Sequence, residues 1–141
     1  MKTQGTTYSQ PRNSFTNRGS KNKDQANVYI RMILYDKGIP CLVDSGCETT
    51  LVPKTLIDSF GDIEVWSTTR QVWAANNTEN RIYGEAYLPF VLNEQCLWTM
   101  ALISEDVEEI KLGYDWLKAN QCVWDFATGS LSIMGNLPMN P

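Results

Sequence analysis

An acid stands at the end of a stretch that reads as a buried strand. Ile39-Pro40-Cys41-Leu42-Val43 runs directly into Asp44-Ser45-Gly46, and Cys47-Glu48-Thr49-Thr50-Leu51-Val52-Pro53 follows. Burial disfavours the charged form of a carboxylate, so an aspartate in such a place needs a compensating partner or a chemical role. Ser45 can hydrogen-bond nearby backbone, and Gly46 lets the chain bend and admits the close approach of another backbone. Asp-Ser-Gly is also a common turn tripeptide, in which the aspartate would do no more than cap a loop. The remainder of the chain has to decide between these readings.

The 141 residues, 43% hydrophobic and 11% aromatic, suffice for one domain with a modest core and leave no room for a two-lobed enzyme. The chain contains no histidine, which excludes Ser-His-Asp and Cys-His machinery and leaves carboxylates as the natural acid and base groups. Four cysteines, at positions 41, 47, 96 and 122, form no C-x-x-C pair. Without histidine a zinc site would need all four, so no metal is assigned, and reduced, mostly buried thiols are expected. No run approaches the roughly 18 apolar residues of a membrane span, and the N-terminus lacks the apolar core of a signal peptide. The expected setting is soluble and cytoplasmic, so the sequon Asn76-Asn77-Thr78 is read as a chance match.

Residues 1–26 are polar, with Lys2, Arg12, Arg18, Lys21 and Lys23 against the single acid Asp24. They carry too little apolar surface to offset chain entropy and read as a disordered basic tail or spacer, with weak nucleic-acid contact as the functional alternative. From Asn27 onward 15 acids face 7 bases, which argues against a nucleic-acid surface on the folded part. That part reads as short strands: Val28 to Leu34, a turn at Asp36-Lys37-Gly38, Ile39 to Val43, Gln71 to Ala75, Arg81 to Leu92, Leu97 to Ile103, and a closing hairpin from Val123 to Ile133. Pro53 to Phe60 has room for one helical turn, and Gly113 to Asn120 has helical spacing. The expected class is all-β with one short C-terminal helix. The expected domain spans 27–134, followed by a tail over 135–141.

Three stretches, in order, resemble the retropepsin family of aspartic proteases, of the retroviral and Ty3/gypsy retrotransposon type. They are Cys41-Leu42-Val43-Asp44-Ser45-Gly46-Cys47; Trp73 to Leu92, which looks like the flap hairpin; and Leu112-Gly113-Tyr114-Asp115-Trp116-Leu117 followed by Val123-Trp124-Asp125-Phe126. Together they cover about residues 27–134. The resemblance implies a single-lobe acid-protease barrel that works as a two-fold homodimer. Asp44 of each copy would form a catalytic dyad, Ser45 would hydrogen-bond across the axis, and Gly46 would offer its backbone to substrate. It further implies an extended peptide substrate, such as a retroelement polyprotein, no cofactor beyond water, and a possible setting inside retroelement particles. Cys47, Glu48, Trp73, Ala74, Ala75, Asn76, Asn77, Ile82 and Tyr83 would belong to the substrate floor and flap, and Leu112 and Gly113 would support the catalytic loop.

Several positions depart from the family. Cys47 stands where alanine is usual, so an adduct on its sulfur would obstruct the floor. Lys111 replaces an apolar residue. Tyr114 replaces the arginine with which viral members tie the subunit together, so Glu48 is expected to be held differently. The flap tip, 74–80, lacks glycine and is expected to be stiff. Trp73, Ile82 and Tyr83 have a second reading as residues packed under the hairpin. Asp115 reads as a helix-start acid or local hydrogen-bond partner, and Asp125 as support for the turn after it. A catalytically silent dimerisation or peptide-binding module is the alternative function. A glycosidase with two in-chain carboxylates is a third, which no motif here places.

Overall fold

A computed structural model describes residues 6–9, 27–73 and 77–133. In chain order the elements are β1 (Thr6–Ser9), β2 (Tyr29–Leu34), β3 (Lys37–Val43), β4 (Leu51–Pro53), α1 (Lys54–Ser59), β5 (Val72–Trp73), β6 (Glu79–Asn80), β7 (Ile82–Leu92), β8 (Gln95–Ser104), β9 (Ile110–Leu112), α2 (Tyr114–Ala119), β10 (Cys122–Asp125) and β11 (Ser130–Ile133). Six of these strands close a barrel in the order β2-β3-β9-β4-β8-β7. β1, β11 and β10 form a separate antiparallel sheet, and β5 and β6 a two-stranded one. The expected all-β, single-lobe barrel is what the chain forms. Among the described residues it carries two six-residue helices, because the segment read as a helical turn after Pro53 completes α1.

Side-chain alternation explains the longer strands. In β2, Ile30, Met32 and Leu34 are buried while Arg31 and Ile33 are exposed, and in β7, Ala86, Leu88, Phe90 and Leu92 face inward. In β8 the alternation gives way to an unbroken buried run, Ala101-Leu102-Ile103-Ser104. This part of β8 is flanked by β7 and β4 and is covered on both faces. Ala101 and Ile103 belong to the main core with Phe90 and Trp116, whereas Leu102 joins Leu51 and Val72 in a smaller one. Leu131 and Ile133 of β11 also enter the main core, which attaches the three-stranded sheet to the barrel.

Some elements differ from their sequence-based expectation. The first hairpin turns at Tyr35-Asp36, and Lys37 and Gly38, expected in the turn, already belong to β3. Tyr35 adopts φ +60°, unusual for a bulky residue, while its ring packs on Phe60 at 5.1 Å between centroids. Within the span read as a disordered tail, Thr6–Ser9 instead pair along β11, whose other edge is taken by β10. Backbone pairing to an open edge needs no apolar side chains, so polar composition did not reveal it. The short β4 and β9 carried no strand signal of their own. The remainder of residues 1–26, together with 134–141 and the flap-tip residues Ala74, Ala75 and Asn76, lies outside the described residues.

Gly84 is where the segment before the flap crosses the barrel. Trp66 and Glu85 exchange backbone hydrogen bonds of 2.9 and 2.8 Å, and β7 changes register between Ile82 and Gly84. A Cβ on Gly84 would lie 2.6 Å from both the Trp66 carbonyl oxygen and Val65 Cγ1. Gly84→Ala should therefore destabilise the fold by about 1–3 kcal/mol in a urea titration. Gly38→Ala, whose Cβ would meet only the flexible Arg31 guanidinium at 3.2 Å, should cost much less.

Candidate active site

β3 delivers Asp44 to the barrel rim. The Asp44 amide donates to the Leu112 carbonyl of β9 (3.0 Å), and the Cys47 amide donates to the Asp44 carbonyl (3.0 Å), which closes a tight turn. The Gly46 amide donates to Asp44 Oδ1 at 3.2 Å, so one carboxylate oxygen is held by its own loop. Asp44 is half-buried, while Ser45 and Gly46 are exposed.

Behind this turn lies a buried hydrogen-bond knot. Asp115 Oδ1 accepts from the Thr50 amide (3.0 Å), the Thr50 hydroxyl (2.7 Å) and the Trp116 amide (2.7 Å). Thr50 Oγ1 in turn accepts from the Gly113 amide at 3.1 Å. The Tyr114 and Asp115 amides donate to the carbonyls of Cys47 (2.7 Å) and Glu48 (3.2 Å). Gly113 sits so close to the loop that a Cβ would lie 2.6 Å from the Thr49 carbonyl carbon and 2.7 Å from the Cys47 carbonyl oxygen. Asp115 is thus the local hydrogen-bond partner that its position suggested. Asp125 likewise accepts from the Ala127 amide (2.9 Å) and supports its turn. Where an arginine was absent at Tyr114, it is the Glu48 backbone that is bound, and its side chain is exposed.

Two cavities meet at Asp44. One, of about 650 Å³, lies under the flap and is lined by Asp44, Gly46, Cys47, Trp73, Arg81 and Lys111 among others. The second, about 740 Å³, opens beside Asp44 and Ser45 and is walled by Tyr114, Leu117, Trp124 and Phe126. The flap is built on β5 and β6, which pair Val72 with Asn80 and Trp73 with Glu79, and Asn77 takes φ +66°. Of the expected flap residues, Trp73 lines the cavity and Ile82 packs beneath against Leu51, Val72 and Leu102. Tyr83 is exposed, with the Lys54 ammonium 4.6 Å from its ring centroid. Leu112 is fully buried in the main core.

The flap base is held by an ion pair that sequence reasoning did not single out. The Arg81 amide, Nε and Nη2 all donate to the Asp106 carboxylate, at 2.6, 3.0 and 2.7 Å. These bonds hold the Asp106 carboxyl below the ordinary carboxylate range. No local signal joins two residues 25 positions apart. Nearer the loop, burial holds the Cys47 thiol above its ordinary value, opposed by hydrogen bonding to the Thr49 backbone amide and assisted by the charge of Asp44. Its S–H also donates to the Thr49 carbonyl at 3.1 Å, which favours the neutral thiol. Cys47 is therefore a poorer nucleophile than a free thiol.

Two outcomes follow from this geometry. Thr50→Val keeps the shape but removes the Asp115 donor and strands the Gly113 amide, so it should cost about 1–3 kcal/mol by chemical denaturation. Thr50→Ser should recover most of that loss. Asp106, followed by carboxyl-carbon NMR, should titrate below its ordinary value and return towards it in Arg81→Gln. The sign follows: a lowered folded pKa contributes stability that is complete above the ordinary value and is lost as pH falls through the lowered one.

No protein-family model matches the chain, and no curated protein matches it by sequence. Solved structures do match. The retroviral protease-like domain of Ddi1 from Leishmania major aligns with TM-score 0.56 and 21% identity, covering 74% of this chain and 86% of that one. A retropepsin-like aspartic protease from Rickettsia conorii aligns with TM-score 0.60 and 13% identity over 94% and 91% of the two chains. The EIAV protease, solved with the inhibitor HBY-793, aligns with TM-score 0.57 and 13% identity over 72% and 93%. At these identities the likeness speaks to architecture, and together with the six-stranded barrel and the Asp44 loop on its rim it establishes that this chain has a retropepsin-like fold.

Proposed function

We propose that the chain is an aspartic endopeptidase whose active site forms when two copies meet at Asp44. The observation that carries this reading is the placement of one Asp-Ser-Gly turn where a covered cleft meets an open apolar surface. Hydrolysis of a peptide bond needs one group to take a proton from water and another to give one to the carbonyl oxygen. In aspartic proteases two carboxylates about 3 Å apart share a single proton and divide these roles. Asp106, the other aspartate on the flap cavity, is occupied by Arg81. A second Asp44 supplied by a two-fold axis is the simplest completion. The surface beside Asp44 suits an isologous contact, since Tyr114 and Phe126, which wall it, are 53% and 87% exposed.

An extended peptide lying under β5 and β6 would be bound by backbone hydrogen bonds, with its side chains alternating between pockets. The parent polyprotein of a retroelement is the substrate we favour, in the cytoplasm or in the particle that such an element assembles.

The test is a mixing experiment. Asp44→Asn should lower hydrolysis of a quenched peptide library roughly 10³-fold or more while the protein stays folded, because the amide cannot serve as base. Specific activity of the wild type should fall on dilution, and added Asp44→Asn chains should poison it through mixed dimers. The wild-type pH profile should be bell-shaped with an acidic optimum, its two apparent pKa values belonging to the pair. Constant activity per wild-type chain in both series, once subunit exchange has been demonstrated, would overturn the shared site.

A further inference from the structure

Lys111 is the middle residue of β9, which is paired on one side with β3, the strand that ends in Asp44, and on the other with β4. Its neighbours Ile110 and Leu112 are fully buried in the main core, so strand alternation turns Lys111 to the opposite face. There it lines the cavity under the flap together with Asp44, Gly46 and Cys47. Among the described residues it makes no ion pair within 4 Å. The other charges on that cavity are differently placed: Arg81 and Asp106 satisfy one another, Glu79 stands on the exposed flap strand, and Asp44, one oxygen of which is held by the Gly46 amide, makes no ion pair with Lys111 within 4 Å.

The ammonium of a half-buried lysine with no carboxylate within 4 Å is a poor neighbour for an apolar side chain, which would strip water from it and return nothing. An aspartate or glutamate side chain of a bound peptide would replace that water with a charge-assisted hydrogen bond. Building on the peptidase reading, we infer that Lys111 is a specificity-determining residue that selects substrates with an acidic side chain next to the scissile bond. Its place in the same cavity as Asp44 puts the selected side chain close to the reacting carbonyl. In a two-fold dimer a Lys111 lies on each side of the dyad, so an acid on either flank, or on both, is accommodated.

The test compares peptides that differ only in the two residues flanking the central bond: Glu, Leu or Lys. Each fluorescently labelled peptide is titrated into the Asp44→Asn protein to measure binding, and each is offered to the wild type to measure turnover. The Glu peptides should lead the Leu and Lys peptides by about tenfold in affinity and in kcat/KM. Lys111→Arg should keep that order, Lys111→Met should place Leu ahead of Glu, and Lys111→Glu should place Lys ahead of both. The charge-swapped ranking separates recognition from a merely structural effect of replacing a barrel residue. If the binding order holds and reverses as stated but no peptide is cut, the peptidase reading fails and this one stands. Binding of all peptides alike, binding of none, or an order unchanged by Lys111→Met overturns it.

Discussion

Asp115 Oδ1 gathers three hydrogen bonds, from both donors of Thr50 and from the Trp116 amide, and the arrangement of the site depends on it. The Thr50 hydroxyl, fully buried, also accepts from the Gly113 amide, and the Cys47 and Glu48 carbonyls are bound by the start of α2. A turn between strands is ordinarily a mobile place for a reactive group. Here it is fastened to a helix start that is itself anchored by the buried Trp116 indole ring. The low polarity of the surroundings strengthens each of these bonds and makes the loss of any partner costly. Asp44 is thereby positioned by the backbone, and its carboxylate has only the Gly46 amide as a hydrogen-bond partner among the described residues.

β9 extends the same logic to the barrel. It lies between β3 and β4, so the strand that carries Asp44 and the strand that follows its loop both lean on three residues from much later in the chain. The Asp44 amide completes the link through the Leu112 carbonyl. With Ile110 and Leu112 facing the core, only Lys111 is free to define the cleft side of that strand. The flap has a different kind of support. A polar clamp between Arg81 and Asp106, whose hydrogen bonds hold the Asp106 carboxyl below the ordinary carboxylate range, and a small apolar cluster around Leu102 hold its base.

Much of this was legible in local residue types. The acid after Val43 and the small residues that follow it are signals of backbone geometry and desolvation, readable from a few adjacent positions, whereas Gly113 was marked only by resemblance and its close approach to the loop came from the fold. The periodic strands β2 and β7 announced themselves through alternation. Tyr35 did not, because its positive φ accompanies a contact with Phe60, 25 residues away. Nor did β1 and β9: a strand of three or four residues is specified by the edge that receives it, and that edge exists only after folding.

The amino-acid order alone determined the chemistry on offer: carboxylates without histidine, one Asp-Ser-Gly, and Lys111 set between Ile110 and Leu112. These are properties of residue identity and survive any rearrangement of the chain. The tertiary structure decided which groups meet. It set Lys111 and Trp73 on one cavity with Asp44, joined Arg81 to Asp106, and turned Tyr83 outward onto Lys54. Such pairings depend on strand register and barrel closure, in which a shift of one residue would exchange the buried and open faces of a whole strand.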